Sequence, residues 1–257
     1  MPHVLVFDSG IGGTSVLSHL QSTMPQAQYS YVMDNELLPY GLQSQEIIKS
    51  RLVALLHWIK QTEKSVDVIV IACNTASTYA LATARQHTDI PIVGVVPAIK
   101  PAASSSEKKH IGLLATPATS KNTYTANLIS SFANDCQVEI YHSTQLVSIA
   151  EHYYWYEELQ IERLKTELER INICPEIDRL VLGCTHFPII GEHLQQYLSQ
   201  KITLIDSGEA IARRVKHILS TCSLEERGIG LGPVHWYATA PDKLEKSVNI
   251  NLLKLVN

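Results

Sequence analysis

The chain predicts an α/β protein built on mainly parallel sheet, and three observations carry that reading. Strand-like apolar runs alternate with helical patterns along most of its 257 residues, the order that βαβ units produce. The runs are near-continuous in Val, Ile and Leu, as expected of strands buried on both faces. Several end in small polar residues, at the carboxyl edge where open α/β sheets place ligand sites.

The first strand is expected over residues 4–7 (Val-Leu-Val-Phe), and a helix over 15–24 follows a glycine-rich turn. Aromatic and β-branched residues mark a second strand over 29–33. The pattern over 45–62 repeats Ile48, Leu52, Leu55 and Ile59 at helical spacing. Residues 68–72 and 92–95 read as the next strands, separated by an alanine-rich helix over 77–87. Beyond them, strands at 111–115, 137–141, 180–183 and 203–205 are interleaved with helices at 121–133, 158–171 and 208–220. Near the end, Trp236-Tyr237-Ala238-Thr239 is strand-like.

Two internal echoes suggest either a paired architecture or the common grammar of βα turns. Phe7-Asp8-Ser9-Gly10 is mirrored by Ile205-Asp206-Ser207-Gly208, and a strand running into Cys73-Asn74-Thr75 is mirrored by one running into Cys184-Thr185-His186. The expectation is two α/β halves, residues 1–97 with 207–257 and residues 98–206, each presenting a thiol and a polar turn to a shared cleft. Clefts between domains are the usual home of small-molecule sites.

Composition narrows the function classes. Apolar residues make up 45% and charged residues 18% of the chain, which argues against disorder. A net charge of −4 gives no basic footprint for nucleic acid or anionic membrane. No apolar run approaches the roughly 20 residues needed to cross a bilayer, and Met1-Pro2-His3-Val4 leads straight into a strand without a signal-peptide pattern. A cytoplasmic protein is expected. The five cysteines, Cys73, Cys136, Cys174, Cys184 and Cys222, contain no CxxC pair, which argues against a zinc ribbon or a thioredoxin motif. Free thiols follow, with Cys136, Cys174 and Cys222 read as small buried hydrophobes. No His/Asp cluster has metal spacing, no lysine sits in a pyridoxal-phosphate context, and GxGxxG and GxxxxGK[ST] are both absent. No metal or cofactor is expected.

Chemistry concentrates at the strand ends. Asp8-Ser9-Gly10-Ile11-Gly12-Gly13 puts a carboxylate, a hydroxyl and exposed amides at one turn, where Asp8 either pairs with an ammonium group or caps the next helix. Pro39-Tyr40-Gly41 reads as a turn, and Thr116-Pro117-Ala118-Thr119 as hydroxyls that bind a carboxylate or cap a helix. Glu151-His152 precedes an aromatic cluster, Tyr153-Tyr154-Trp155-Tyr156, read as packing or an interface. Cys73 and Cys184, delivered by separate strands, could face one small substrate from opposite sides. An acid on one face and a base on the other is what inverting a carbon stereocentre through a planar carbanion requires. His186 could tune the Cys184 thiol or pass its proton to solvent. A thiol hydrolase using Cys184 with His186 is the rival enzyme. It is disfavoured on the expectation that Cys184 and His186 point to different faces, and because it leaves Cys73 idle. An acidic amino-acid binding module, the non-catalytic rival, would need no paired thiols.

The set Asp-Ser-Gly-x-Gly-Gly, Pro-Tyr-Gly, Cys-Asn-Thr-Ala and Gly-Cys-Thr-His-Phe-Pro, in this order and spacing, closely resembles the glutamate racemase family. The likeness runs through Val95–Ala102 and Gly112–Thr116 and spans roughly residues 3–220. It implies a two-domain, pseudo-symmetric enzyme, usually a homodimer, that interconverts L- and D-glutamate without a cofactor and supplies D-glutamate for peptidoglycan. It implies Cys73 and Cys184 as the two bases, Cys73 deprotonating D-glutamate and Cys184 L-glutamate. Asp8, Ser9, Tyr40, Gly41, Asn74, Thr75, Thr185 and His186 match substrate-contacting positions, with Thr116 placed beside them. Glu151 matches a carboxylate near His186, and Thr119 is a supporting candidate. An aspartate or other acidic amino-acid racemase of the same fold is the near alternative. In some branches UDP-N-acetylmuramoyl-L-alanine is an activating partner. Those members tend to carry an N-terminal extension not seen here, so the resemblance leaves activation open.

Overall fold

The computed structural model describes residues 1–62, 65–221, 234–244 and 250–255. Its first part runs β1 (His3–Asp8), α1 (Thr14–Thr23), β2 (Gln28–Met33), α2 (Gln45–Gln61), β3 (Val68–Ile71), α3 (Asn74–Arg85) and β4 (Ile92–Gly94). Next come α4 (Ile99–Ser105), β5 (His110–Ala115), α5 (Pro117–Ser120), α6 (Thr123–Phe132), β6 (Gln137–His142), α7 (Gln145–Tyr156), α8 (Ile161–Ile171) and β7 (Arg179–Gly183). The chain closes with α9 (Gly191–Tyr197), β8 (Thr203–Ile205), α10 (Gly208–Thr221), β9 (His235–Ala238) and β10 (Ile250–Leu252).

Two sheets form, ordered β10-β9-β2-β1-β3-β4 and β6-β5-β7-β8, with every described strand pair parallel. The fold is α/β, as expected. The orders β2-β1-β3-β4 and β6-β5-β7-β8 are the same path taken twice, which puts β3 and β7 in equivalent places. Cys73 follows β3 and Cys184 follows β7, so the thiol echo is topological. The Asp-Ser-Gly echo is not. Asp8 ends β1, whereas Asp206 follows β8, the counterpart of β4. What these two share is local: in each turn the glycine N–H donates to the aspartate Oδ1, at 3.0 Å from Gly10 to Asp8 and 2.7 Å from Gly208 to Asp206.

The continuous apolar runs follow from two-sided burial. Along β1, Val4 and Val6 enter one core while Leu5 and Phe7 enter the other; along β3, Val68 and Val70 part from Ile69 and Ile71 in the same way. In the second sheet Leu180 and Leu182 face one core and Val181 the other. Helix starts are fixed by side-chain caps where the sequence supplies them. Ser44 accepts from the Ile47 N–H at 3.3 Å and Asn122 from the Thr125 N–H at 2.8 Å.

Several expectations need correction. The helix placed at 77–87 begins at Asn74, because Cys73 itself occupies the N-cap position. Helices α4, α5, α7 and α9 were not foreseen, and the aromatic cluster lies on α7. Cys136 and Cys174 are free but half-buried, not buried, since both sit in turns at the rim of the second sheet's cores. Cys222 lies outside the described residues. The strand-like 236–239 run forms β9 at His235–Ala238. No helix among the described residues is long and apolar enough to cross a membrane.

Candidate active site

Both thiols stand at the carboxyl edges of their sheets, and both line one small, tightly closed cavity. Ser9, Tyr40, Gly41, Asn74 and Thr75 from the first sheet's side line it with Cys73. Thr116, Thr185 and His186 line it with Cys184 from the second. Asp8, Glu151 and Thr119 are not among its lining residues, and each holds one that is.

Asp8 is fully buried and bridges the two sheets' edges, accepting from the Gly10 N–H at 3.0 Å and from the Thr185 hydroxyl at 3.0 Å. Burial pushes its carboxyl above the ordinary range, against the pull of the nearby His186 charge and of these two donors. It does not cap α1, whose N-cap is Gly13 without a side-chain bond. Nor is the glycine-rich turn open to a phosphate. A Cβ on Gly10 would stand 2.1 Å from Glu151 Oε1, and one on Gly12 would stand 2.5 Å from both His186 Nδ1 and Thr185 Oγ1. These glycines permit close approach of the two halves, a reason no local pattern reveals.

His186 ties the second thiol to a carboxylate. Its Nδ1 lies 3.7 Å from Cys184 Sγ and its Nε2 lies 2.8 Å from Glu151 Oε1. Glu151, on α7, also accepts the Ile11 N–H at 3.0 Å and, one turn along, the Trp155 indole N–H at 3.2 Å. Burial works against the imidazolium, but Cys184 and Glu151 outweigh it and hold His186 well above its ordinary value. The expectation that Cys184 and His186 face apart is therefore wrong. Strand alternation itself puts residues i and i+2 on one face, and the turn that follows β7 at Gly183 keeps the two side chains together.

Cys73 has no such cation among the described residues. Burial pushes its thiol far up, Asp8 and Cys184 add to the rise, and the Ala76 N–H and Ser9 hydroxyl oppose it. The Ser9 oxygen is 3.9 Å from its sulfur. Nearby, the hydroxyls of Thr75, Thr116 and Thr119 form a closed triangle with edges of 3.0, 3.0 and 3.2 Å. Asn74 is buried, and its Nδ2 has no partner among the described residues. An unpaired buried donor facing a cavity costs free energy until an acceptor arrives. The Tyr40 hydroxyl is already committed, donating to Asp34 at 2.5 Å. What Tyr40 offers the cavity is its ring and backbone. No group of three or more His, Cys, Asp or Glu that could hold a metal occurs among the described residues.

Fold and site together define a two-domain α/β enzyme whose cleft presents paired thiols from equivalent strand ends. The Asp/Glu/hydantoin racemase family model matches residues 14–215. A glutamate racemase of Shewanella frigidimarina (strain NCIMB 400) is 49% identical over 218 residues, 84% of this chain and 83% of that one. One from Vibrio parahaemolyticus serotype O3:K6 (strain RIMD 2210633) is 46% identical over 252 residues, 98% and 91% of the two chains. The crystal structure of Escherichia coli glutamate racemase with L-glutamate and the activator UDP-MurNAc-Ala superposes with a TM-score of 0.85 at 41% identity, covering 93% of this chain and 89% of that one. The chain belongs to the Asp/Glu/hydantoin racemase family and is an amino-acid racemase.

Proposed function

We propose that the chain interconverts L- and D-glutamate without a cofactor, with Cys73 and Cys184 as the two bases. The observation that carries this is the placement of both sulfurs on one small cavity, each at the same topological position of its own sheet. One sulfur, as thiolate, takes the Cα proton; the electron pair passes into the adjacent carboxylate. The other, as thiol, gives its proton to the opposite face of the carbanion. The product leaves with the protonation states of the two sulfurs exchanged. Positioned acid–base groups supply about 10²–10⁴ in rate, and the rest must come from donors fixed around the carboxylate. Asn74, with its unpaired Nδ2, and Thr75 stand ready as donors.

His186 beside Cys184, and nothing cationic among the described residues beside Cys73, makes the pair unequal before substrate binds. Cys184 then starts as the base and Cys73 as the acid, the arrangement that meets L-glutamate. Because mirror images are equally stable, kcat/KM must be equal in the two directions; the inequality can show only in kcat and KM separately.

The Cys184–His186–Glu151 chain is also one a thiol hydrolase could use. A second thiol on the same cavity and the family of the chain decide for racemisation. Glutamate rather than aspartate is supported by the relatives, and D-glutamate so made would enter peptidoglycan synthesis in the cytoplasm. Residues 1–97 with 207–257, and residues 98–206, are taken as the two domains that flank the cavity; the Ser207 Oγ bond to the Val96 carbonyl, at 2.7 Å beside the boundary, supports that division.

The test is a coupled assay of D-to-L-glutamate conversion by dialysed, EDTA-treated protein, run beside aspartate and with and without UDP-MurNAc-Ala. Turnover of glutamate alone supports the reading. Turnover of aspartate in preference, or none of either, overturns it.

A further inference from the structure

Asp34 follows β2 and is fully buried, yet its carboxylate accepts four hydrogen bonds. Arg51 donates from Nε at 2.7 Å and from a terminal nitrogen at 2.5 Å, Tyr40 from its hydroxyl at 2.5 Å, and Thr239 from its hydroxyl at 2.8 Å. Four donors fill the lone-pair sites that a carboxylate offers, and the forked guanidinium makes the buried charge tolerable. The donors come from the turn at Tyr40–Leu42, from α2, and from the residue just past β9. Thr239 is 205 residues from Asp34 in sequence. It is itself locked in place: its hydroxyl accepts the Glu36 N–H at 3.0 Å and its own N–H donates to the Met33 carbonyl at 3.1 Å. Next to it Asn35 and Ala240 exchange two further bonds, at 2.7 and 2.9 Å.

Asp34, Arg51 and Thr239 do not line the cavity, whereas Tyr40 and Gly41 do. The Gly41 backbone is so close to the opposite wall that a Cβ there would stand 2.7 Å from Thr116 Cβ. A small shift of the Tyr40–Gly41 turn therefore changes the width of the cavity directly. We propose that Arg51 and Thr239 are positioning residues for the racemase site, fixing Tyr40 and Gly41 through Asp34 without touching substrate. The residue just past β9 thereby governs binding at a cavity it does not reach. This rests on the placement of the substrate in that cavity.

Thr239→Val removes the hydroxyl at nearly constant volume, Thr239→Ser restores it, and Arg51→Lys keeps the charge but loses the fork. Each variant is compared with the wild type by amide hydrogen exchange of residues 38–43, calorimetric affinity for L-glutamate, melting temperature, and KM and kcat in both directions. In Thr239→Val, which loses the bond to the buried Asp34 charge and the one from the Glu36 N–H, exchange at 38–43 and both Kd and KM should rise about tenfold, with kcat within about threefold. Thr239→Ser should return all of them to within about twofold of wild type. Unchanged exchange and KM in Thr239→Val, or Thr239→Ser no better than Val, overturns the proposal. Should Thr239→Val fail to fold, Arg51→Lys is held to the same two criteria. Exchange requires no turnover, so a chain inert toward glutamate would remove the substrate reading while exchange still decides this one.

Discussion

Cys184 and His186 are two residues apart, and the sulfur of one lies 3.7 Å from Nδ1 of the other. Both residues sit in the turn that follows β7, which ends at Gly183. Through Glu151 the imidazole is anchored to the N–H of Ile11, so a thiol at one sheet's edge is wired to the glycine-rich turn of the other.

The two thiols should differ in reactivity although they are equally buried, at 5% exposure for Cys73 and 7% for Cys184. Burial holds Cys73 as the neutral thiol, and Cys184 has a cationic neighbour. Limiting iodoacetamide near neutral pH, followed by peptide mass mapping, should label Cys184 first. His186→Asn should narrow the gap. Preferential labelling of Cys73 would contradict the electrostatic picture.

Glu151→Gln should destabilise the protein in a pH-dependent way. In the folded chain His186 binds its proton more tightly than at its ordinary value of 6.5. The resulting stability is fully present below about 6.5 and is lost as pH rises through the raised folded value. The deficit in melting temperature of Glu151→Gln should therefore be largest below about pH 6.5 and shrink as the pH rises through the raised folded value. A deficit that grows with pH would be the wrong sign.

Asn74→Ala should trade activity for stability. Removing a buried donor with no partner relieves a penalty of about 1–3 kcal/mol, partly offset by lost packing. Melting temperature should hold or rise while KM for glutamate climbs at least about tenfold. A clear fall in melting temperature would mean that the amide is paired in the free enzyme.

Gly12→Ala should damage the site from a distance in sequence. Its Cβ meets His186 Nδ1 and Thr185 Oγ1, both across the boundary between the two halves. Stability should fall by about 1–3 kcal/mol, and displacement of His186 should lower kcat by about 10²-fold. Wild-type kinetics in this variant would show that the two halves do not need to approach so closely.

The alternation of apolar runs with helical patterns was enough to read the parallel sheets, because two-sided burial leaves its mark strand by strand. The site's inner wall was legible for a related reason: Ser9, Thr116 and Cys184 each follow a strand directly, and Cys73 follows one after a single residue. What the sequence hid lies between elements. Gly10 and Gly12 answer to Glu151 and His186 across the two halves, and the Asp34 carboxylate gathers donors from three distant segments. Such contacts depend on which elements share a sheet edge, and hydrophobic periodicity carries no record of that. The Asp-Ser-Gly repeat misled for the opposite reason, since an aspartate bonding to a glycine N–H two residues on is a turn device usable after any strand.

The two-thiol mechanism is tested most directly by early deuterium labelling in heavy water, starting from protiated L-glutamate. If separate sulfurs serve the two faces, the first D-glutamate formed carries solvent deuterium while the recovered L-glutamate carries almost none. Equal early labelling of both pools, or D-glutamate that keeps its original proton, would mean that a single group works both faces.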